Sequence, residues 1–470
     1  MALSSILQAI QNAMNIPELR STSMILTVIV SLCALCGIAY FFAGRKKYKL
    51  PPGPTGLPIV GYLPFVGKEP QKTFAALAKK YGNVFGLYLG RKYNVILNDW
   101  TSVKDAFSQT ATANRPEDFF GLLPDGFEIN ELVNLIQQEH GKPLDVSEVF
   151  SSTFANNIMT LLFGNRLPLG HPVTLAVSQH VDLVVRSFLS VSVTAVFPWL
   201  VKVLGKIGTY NYSIPLKKLS EFNQLITKMI MNRNEKESDD NFVDTYCNEM
   251  KLNIKSKMST SFTETYLRGN TQTLLIGGSD STRSSLIYLL MAVAQFPEIQ
   301  KKVHEELDHV LGKDGCIKWA ERSKVPYTYA VIMESMRWYT LVPINSIRMA
   351  SEDIKVQGYD IPRGTYILGN TWLLHNDPKY WPEPEKFIPE RYLLDDGKRV
   401  NYQPDSYSPF SYGKRSCPGE MVALVSLLHY FTTIMQKFKV LPEGEKIEYG
   451  TILGLTCQPT DVKLRFIARE

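Results

Sequence analysis

The sequence is poor in cysteine and histidine and has no long basic run. Its six cysteines among 470 residues follow no framework spacing, which excludes a disulfide-stapled domain and favours a reducing compartment for the main body. The net charge of +6 is mild and no nucleic-acid-binding motif is present, so nucleic acid is not a predicted partner. The composition is otherwise that of an ordinary globular protein with ample material for a core.

A long uncharged segment lies near the N-terminus, from Ser21 to Gly44. At about 1.5 Å per helical residue, a segment of this length crosses a hydrocarbon core of about 30 Å. Basic residues follow it directly, at Arg45, Lys46, Lys47 and Lys49, and the positive-inside rule then places the rest of the chain in the cytosol. A cleaved signal peptide is the competing interpretation, although its apolar region would be shorter.

The next segment is rich in proline and glycine and begins with Pro51-Pro52-Gly53-Pro54. Such a run is incompatible with a helix and predicts a stiff spacer. We therefore divide the chain into a short N-terminal lumenal segment (1–20), a transmembrane anchor (21–44), a basic stop and Pro/Gly hinge (45–68) and one large domain (69–470).

Within that domain, residue patterns predict several elements. The first are a helix at about Gln71–Tyr81, strands near Val84–Leu89 and Tyr93–Leu97 and a helix from Thr101. Further helices are predicted at Val146–Phe163, from about Phe262 to Ala294 and at Tyr329–Tyr339. The region Ile354–Ile367 predicts short strands.

One cysteine near the C-terminus lies in a setting that favours its thiolate. Cys417 follows Arg415 by two residues and precedes an apolar helical segment, and both the cation and a helix N-terminus stabilise an anion. Pro418 suits the first turn of that helix. With no histidine or second cysteine nearby, the thiolate cannot build a zinc site, but it can be the single protein ligand of haem iron. Taken alone, Cys417 is better explained as a structural cysteine at a turn.

The spacing around Cys417 narrows this choice. Phe410, Gly413, Arg415, Cys417 and Gly419 match Phe-x-x-Gly-x-Arg-x-Cys-x-Gly, so the chain resembles the cytochrome P450 family at its haem-binding loop. The resemblance implies a mainly α fold with small β-sheets, preceded by one transmembrane helix. It also implies haem b as cofactor, with the Cys417 thiolate as the axial ligand of the iron.

A second motif lies in the long helical segment from Phe262 to Ala294. The run Gly277-Gly278 costs helix stability, about 1 kcal/mol per glycine, and this requires a reason such as close approach of a ligand, a local kink or helix packing. With Ser279-Asp280-Ser281-Thr282 it resembles the oxygen-binding kink of the family. The resemblance implies that Thr282 hydrogen-bonds the dioxygen and that Asp280 helps to relay protons.

A third motif combines two charges one helical turn apart with a distant arginine. Glu334 and Arg337 lie in an apolar helix, where burial is expected and where both charges then need further partners. Arg391 follows in Pro389-Glu390-Arg391, and the resemblance makes these three residues a structural triad behind the haem loop.

Further roles follow from position in the family pattern. Arg348, Arg415 and Arg115 would bind haem propionates, because guanidinium groups suit carboxylates; for Arg115 a plain surface arginine is the alternative. His375 is interpreted as structural. The tail Gly450–Pro459 resembles a hairpin whose tip touches substrate, through Ile452, Leu453 and Leu455.

One part of the family pattern is missing. After Phe120 the family would have a long loop and a helix carrying Trp-x-x-x-Arg, which binds a propionate, but no tryptophan occurs between Trp100 and Trp199. Several tens of residues are lacking, and Glu131–His140 matches the next helix. A shortened transcript, a faulty gene model and a true deletion all remain open.

The resemblance implies a monooxygenase that inserts one oxygen atom from O2 into a small hydrophobic substrate. Electrons from NADPH would arrive through a separate flavin reductase, with a b-type cytochrome as a further candidate partner, at the endoplasmic reticulum membrane. The apolar segment Val181–Leu204 resembles a mobile roof with a second membrane contact, or is ordinary core. Two alternatives stay open: a non-catalytic haem-binding remnant, because of the missing segment, and a same-fold isomerase or dehydratase that needs no reductase.

Overall fold

The structure, a computed structural model, describes residues 48–469 except for 68, 91, 110–128, 165, 169, 197–212, 233–240, 256–261, 313–314 and 395. Arg115, the segment after Phe120 and the predicted anchor 21–44 lie outside these residues. Among the residues that are described, no helix is long and apolar enough to cross a bilayer.

The described part is mainly helical. Its α-helices are α1 (Pro70–Tyr81), α2 (Trp100–Ser108), α3 (Asn130–Gln138), α4 (Val146–Phe163), α5 (Pro172–Val196), α6 (Ser213–Met231), α7 (Phe242–Lys255), α8 (Glu264–Gln295), α9 (Pro297–Leu311), α10 (Pro326–Tyr339), α11 (Thr371–His375) and α12 (Glu420–Lys437).

Four small sheets accompany the helices. The strands are β1 (Val84–Leu89), β2 (Lys92–Leu97), β3 (Pro143–Asp145), β4 (Arg348–Met349), β5 (Ile354–Val356), β6 (Tyr359–Ile361), β7 (Tyr366–Gly369), β8 (Phe438–Pro442), β9 (Gly450–Leu453), β10 (Cys457–Thr460) and β11 (Lys463–Ala468). The largest sheet has the order β1-β2-β7-β4, with β2 and β7 parallel and Asn94 opposite Tyr366. The others are β3-β11-β8, β10-β9 and β5-β6.

Local signals explain where the helices begin and end. The Asp145 carboxylate accepts hydrogen bonds from the amides of Ser147 (2.9 Å) and Glu148 (3.3 Å) at the start of α4. Gly164 ends the same helix in a left-handed conformation with φ 70°. The predicted bounds of α4 and β1 are confirmed, and those of α1, β2 and α8 differ from the structure by one or two residues.

Helix α8 is the centre of the fold. Its C-terminal half, from Leu286 to Ala294, is almost completely buried in the largest apolar cluster, together with side chains of α10 and α12. Its N-terminal half belongs to a second cluster with α4, α5 and α6, which includes Leu267, Leu274 and Leu275. A single long helix therefore connects the two largest apolar clusters, and residues on its surface are positioned by packing on several sides.

Part of the predicted spacer is attached to the domain. The carbonyl of Lys49 accepts a hydrogen bond from the Asp360 amide (2.9 Å), and that of Pro52 accepts one from Gly86 (2.8 Å). Tyr62 donates its amide to the Tyr88 carbonyl at 2.7 Å. Residues 49–62 therefore lie along β1 and β6 instead of extending away from them.

Candidate active site

The cysteine loop is a tight turn held by backbone bonds. Residues Gly413–Arg415 form a short 3-10 helix, and the Cys417 amide donates to the Phe410 carbonyl at 2.8 Å. Gly413 has φ +76°, and a Cβ built on it would lie 2.0 Å from the Phe107 carbonyl oxygen. Only glycine fits this position, because the conformation is left-handed and the α2 backbone is in contact with it.

Cys417 is exposed and not in a disulfide. Helix α12 begins three residues later, at Glu420, with Gly419 as its N-cap. The expectation that Pro418 lies in the first turn of that helix is wrong, since it precedes the cap. The thiol still lies just before a helix N-terminus, where the helix dipole favours an anion.

Arg348 attaches the loop to the largest sheet. Its side chain is buried, its Nη2 donates to Ser411 Oγ (3.0 Å) and to the Tyr412 carbonyl (2.7 Å), and its guanidinium carbon lies 3.6 Å from the centre of the Phe107 ring. Arg415 is exposed in the 3-10 turn. The structure thus brings Arg348 to the cysteine loop, and a role for either arginine in binding propionates stays a prediction.

A buried histidine supports the segment that leads into the loop. His375 Nε2 accepts the Ser408 amide (3.1 Å), so its Nδ1 carries the proton and donates to Thr340 Oγ1 at 3.0 Å. Burial and the neighbouring Arg337 charge lower the pKa of His375 to about 3. The ring is therefore neutral at pH 7, and the structural role predicted for it is supported by these bonds.

The predicted triad is assembled and buried. Glu334 accepts from Arg337 Nε (2.7 Å) and Nη2 (2.8 Å), and from Arg391 Nε at 3.3 Å. It also accepts from the Ile388 amide (2.8 Å) and the Tyr392 hydroxyl (3.2 Å). Arg337 Nη1 donates to the His375 carbonyl at 2.8 Å. Both buried charges have the further partners that their burial demands, and through His375 the triad connects to the cysteine loop.

Helix α8 passes through its two glycines without a break. The α-helix is continuous from Glu264 to Gln295, and Ser281 Oγ donates to the Gly277 carbonyl. A Cβ built on Gly277 would have nothing within 4 Å, so tight helix packing does not explain this glycine. Residues four apart share one side of a helix, and this side is the accessible one: Thr273, Gly277, Ser281 and Ser285 are each partly or fully exposed. We call these four residues the accessible stripe.

The residues predicted for oxygen chemistry lie beside this stripe. Thr282 is only 4% exposed, and one residue along a helix turns the side chain by about 100° away from Ser281. Asp280 is 2% exposed and accepts from Arg283 Nη2 (2.9 Å), Thr456 Oγ1 (2.6 Å) and Gln458 Nε2. Sequence reasoning passed over Ser281, although the four-residue spacing Thr273, Gly277, Ser281 was a signal for it.

These features fit haem as the cofactor. Helix α12, which starts beside Cys417, packs on α8, which carries the accessible stripe. Apolar side chains of α12 next to the cysteine are accessible, with Met421 54% exposed. Within the described residues no group of three His, Cys, Asp or Glu side chains could hold a metal ion. One exposed thiol beside a glycine-lined, partly apolar surface suits a flat group with a single axial ligand.

The predicted substrate hairpin is present. Strands β9 and β10 pair antiparallel, with Leu453 opposite Cys457. The connecting residues touch α5, since the Leu455 amide donates to the Val185 carbonyl at 3.1 Å. The apolar side chains of Ile452, Leu453 and Leu455 are half-buried, which leaves them available for contact with a ligand.

The fold and this site define a haem-thiolate protein. The sequence model of the cytochrome P450 family matches residues 51–124 and 127–466, so the chain belongs to the cytochrome P450 family. The family uses thiolate-ligated haem iron with O2 and NADPH-derived electrons, and its members are monooxygenases.

Individual relatives agree over almost the whole chain. Cytochrome P450 2U1 of Homo sapiens is 30% identical, with 92% of this chain and 91% of the relative covered. Cytochrome P450 2J2 of Homo sapiens is 31% identical, with 93% and 95% covered. Cytochrome P450 2J1 of Oryctolagus cuniculus is 30% identical, with 94% and 96% covered.

The comparisons also bear on the missing segment. The alignment with human cytochrome P450 2U1 is 504 residues long, although this chain has only 470 residues, of which 92% are aligned. The relative therefore has several tens of residues without a counterpart here. The family match is interrupted between residues 124 and 127, inside the segment where the sequence pattern breaks.

Proposed function

We propose that this chain is a haem-thiolate monooxygenase that inserts one oxygen atom from O2 into a small hydrophobic organic substrate. The observation that carries the proposal is the exposed Cys417 thiol, at the N-terminal end of a helix that packs on the glycine-bearing α8. Phe410, Gly413 and Gly419 shape the loop, and Arg348 attaches it to the sheet.

When bound, haem supplies the activation of O2. The Cys417 thiolate would hold the haem iron, and the N-terminus of α12 would favour the negative charge of the thiolate. The accessible stripe of α8 would lie beside the bound group, where the absence of a side chain at Gly277 leaves room for the small reactant. The half-buried tip residues Ile452, Leu453 and Leu455 would contact the hydrophobic substrate.

We assign the hydroxyl that holds a proton near the reacting oxygen to Ser281. It lies on the accessible stripe and is already hydrogen-bonded to the Gly277 carbonyl, whereas Thr282 is buried on the neighbouring side of the helix. The assignment of Thr282 from sequence is the competing one. Arg415 and Arg348, with Arg115 from outside the described residues, remain candidates for the propionates.

For the cellular setting, the proposal rests on the anchor that the sequence predicts. The anchor 21–44 would place the domain on the cytosolic side of the endoplasmic reticulum membrane. The electrons for the proposed monooxygenase reaction would come from an NADPH-dependent flavin reductase, with a b-type cytochrome as a second donor.

A haem-binding remnant without turnover is the second candidate. It is favoured by the several tens of residues that relatives have and this chain lacks, because the family pattern places a propionate-binding helix there. The accessible stripe and the intact cysteine loop favour the enzyme.

The deciding experiment is the reduced carbon-monoxide difference spectrum of the full chain expressed in membranes. A red-shifted Soret band that is lost in C417A would support haem ligation by Cys417 in spite of the missing segment. Product formation with reductase and NADPH would then separate the monooxygenase from the remnant. A spectrum of non-thiolate type in the unaltered chain would overturn the proposal.

A further inference from the structure

A buried charge centre joins four parts of the fold beside the accessible stripe. Both carboxylate oxygens of Asp280 are engaged: Oδ2 accepts from Thr456 Oγ1 (2.6 Å), and Oδ1 accepts from Gln458 Nε2 and Arg283 Nη2. Thr456 and Gln458 belong to the β9–β10 hairpin, more than 170 residues further along the chain. The carboxylate therefore attaches the hairpin to α8.

The same centre reaches helix α5. Arg283 Nη2 lies 3.6 Å from Asp182 Oδ1, and Arg283 Nη1 donates to Ser151 Oγ at 3.1 Å. Asp182 in turn pairs with Arg186 one turn along α5, at 2.7 Å. Charges alternate along this chain of contacts from the buried Asp280 to the partly exposed Arg186, so α4, α5, α8 and the hairpin are joined by charge-assisted bonds.

The hairpin tip is fixed against α5 as well. The Leu455 amide donates to the Val185 carbonyl, and a Cβ built on Gly454 would lie 2.1 Å from that same oxygen. The tip thus touches α5 through backbone atoms, with no room for a side chain at Gly454. A shift of the hairpin requires the bonds of Asp280 and this backbone contact to break together.

This attachment decides where the apolar tip side chains lie. Leu455 packs against the same apolar cluster as Ile276, which precedes Gly277, and Val422, which lies five residues after Cys417. A carboxylate offers about four acceptor sites, and three of those on Asp280 are already used by the protein. Its contacts are those of a group that holds other groups in place.

We infer that Asp280 is a positioning residue whose carboxylate fixes the β9–β10 hairpin and α5 over the accessible stripe, and so sets the shape of the substrate pocket. The inference rests on the proposed function for the pocket itself, but the attachment of the hairpin is independent of haem. It assigns specificity-determining roles to Thr456 and Gln458. Within the described residues, the side-chain hydrogen bonds of these two residues go to Asp280 and Asp182 and not to the cysteine loop. It competes with a role of Asp280 as a proton relay.

Hydrogen exchange of the full chain tests the attachment directly. Thr456→Val removes the hydroxyl donor at nearly constant shape, and the Leu455 amide should then exchange at least about tenfold faster, since a charge-assisted bond is lost. Thr456→Ser keeps the donor and should restore slow exchange. Thr460→Val makes the same change in the same hairpin without touching Asp280, so it should leave Leu455 unchanged.

Ligand titration of the haem-loaded chain tests the consequence for the pocket. The probes are imidazole, which is small, and 4-phenylimidazole, which needs space beside the iron; both shift the Soret band on binding. Thr456→Val and Gln458→Leu should change the dissociation constant of 4-phenylimidazole by about fivefold or more and leave that of imidazole within twofold. Thr456→Ser should return it to the starting value.

Two outcomes would overturn the inference. One is unchanged exchange at Leu455 in Thr456→Val, and the other is an equal change for both azoles. Failure of the chain to bind haem would count against the proposed function alone, because the exchange experiment needs no cofactor.

Discussion

At the scale of single residues, the site depends on positions where one residue type is physically required. Gly413 combines a left-handed backbone with contact to the Phe107 carbonyl. His375 must be neutral, because its Nε2 accepts an amide proton in the buried interior. Neither requirement can be derived from local sequence, since Phe107 and Ser408 reach these residues only in the folded chain.

Gly413→Ala should destabilise the chain by more than the usual strain of a left-handed alanine, which is about 1–2 kcal/mol, because the new Cβ also overlaps the α2 backbone. Gly358 has almost the same φ, +77°, with nothing within 4 Å of a built Cβ, so Gly358→Ala isolates the conformational cost. Thermal unfolding of both variants checks this. Equal losses would show that the contact with Phe107 is unimportant.

The stability of the chain should fall in acid partly through His375. Its pKa is about 3 in the folded chain and about 6.5 when unfolded, so below pH 6.5 the unfolded state binds the proton more readily. The contribution is absent above pH 6.5, reaches about 2 kcal/mol of lost stability at pH 5 and is complete below about pH 3. Urea unfolding between pH 5 and 7.5 should show a weaker pH dependence in His375→Gln, and an unchanged slope would contradict the assignment.

The roles of Ser281 and Thr282 can be separated by matched substitutions. Ser281→Ala should lower product formed per NADPH by on the order of 10²-fold, as expected for loss of a positioned proton-transfer group, and Ser281→Thr should retain most of it. Thr282→Val should have a much smaller effect, because Thr282 is buried in protein. A larger loss in Thr282→Val would return the role to Thr282.

At the scale of elements, prediction succeeded where signals are local. Helix α4 has its N-cap Asp145 and its terminating Gly164 in the sequence itself, and its bounds were predicted correctly. The triad could be predicted only through the family resemblance, because Arg391 lies 57 residues from Glu334. The bonds between Asp280 and the hairpin could not be predicted, since their pairing depends on how α8 is rotated against β10.

Breaking the triad should destabilise the whole domain. Glu334→Gln leaves two buried arginines without their anion, and the expected loss is about 3–5 kcal/mol in denaturant unfolding. Glu390→Gln is the matched control, because its ion pair with Lys302 is exposed and should contribute no more than about 1 kcal/mol. Similar losses in both variants would contradict the structural role of Glu334.

At the scale of the whole molecule, α8 makes the two largest apolar clusters interdependent. The accessible stripe lies where α8 leaves the second cluster and enters the first, and α12, which begins three residues after Cys417, packs on α8. The mainly helical fold with small sheets was predicted correctly from the family resemblance that the sequence motifs carry. The consequence of the missing segment could not be predicted, because nothing in the remaining sequence says what takes the place of the Trp-x-x-x-Arg helix.

The attachment of residues 49–62 to β1 and β6 restricts the distance and the orientation that the domain can adopt relative to a membrane. If residues 21–44 span the bilayer, only three residues separate Gly44 from Tyr48, and an extended chain of that length reaches less than about 15 Å. The edge of the protein formed by β5 and β6 would then be held close to the lipid headgroups. The same tether would fix which face of the protein is left open to a reductase diffusing in that membrane.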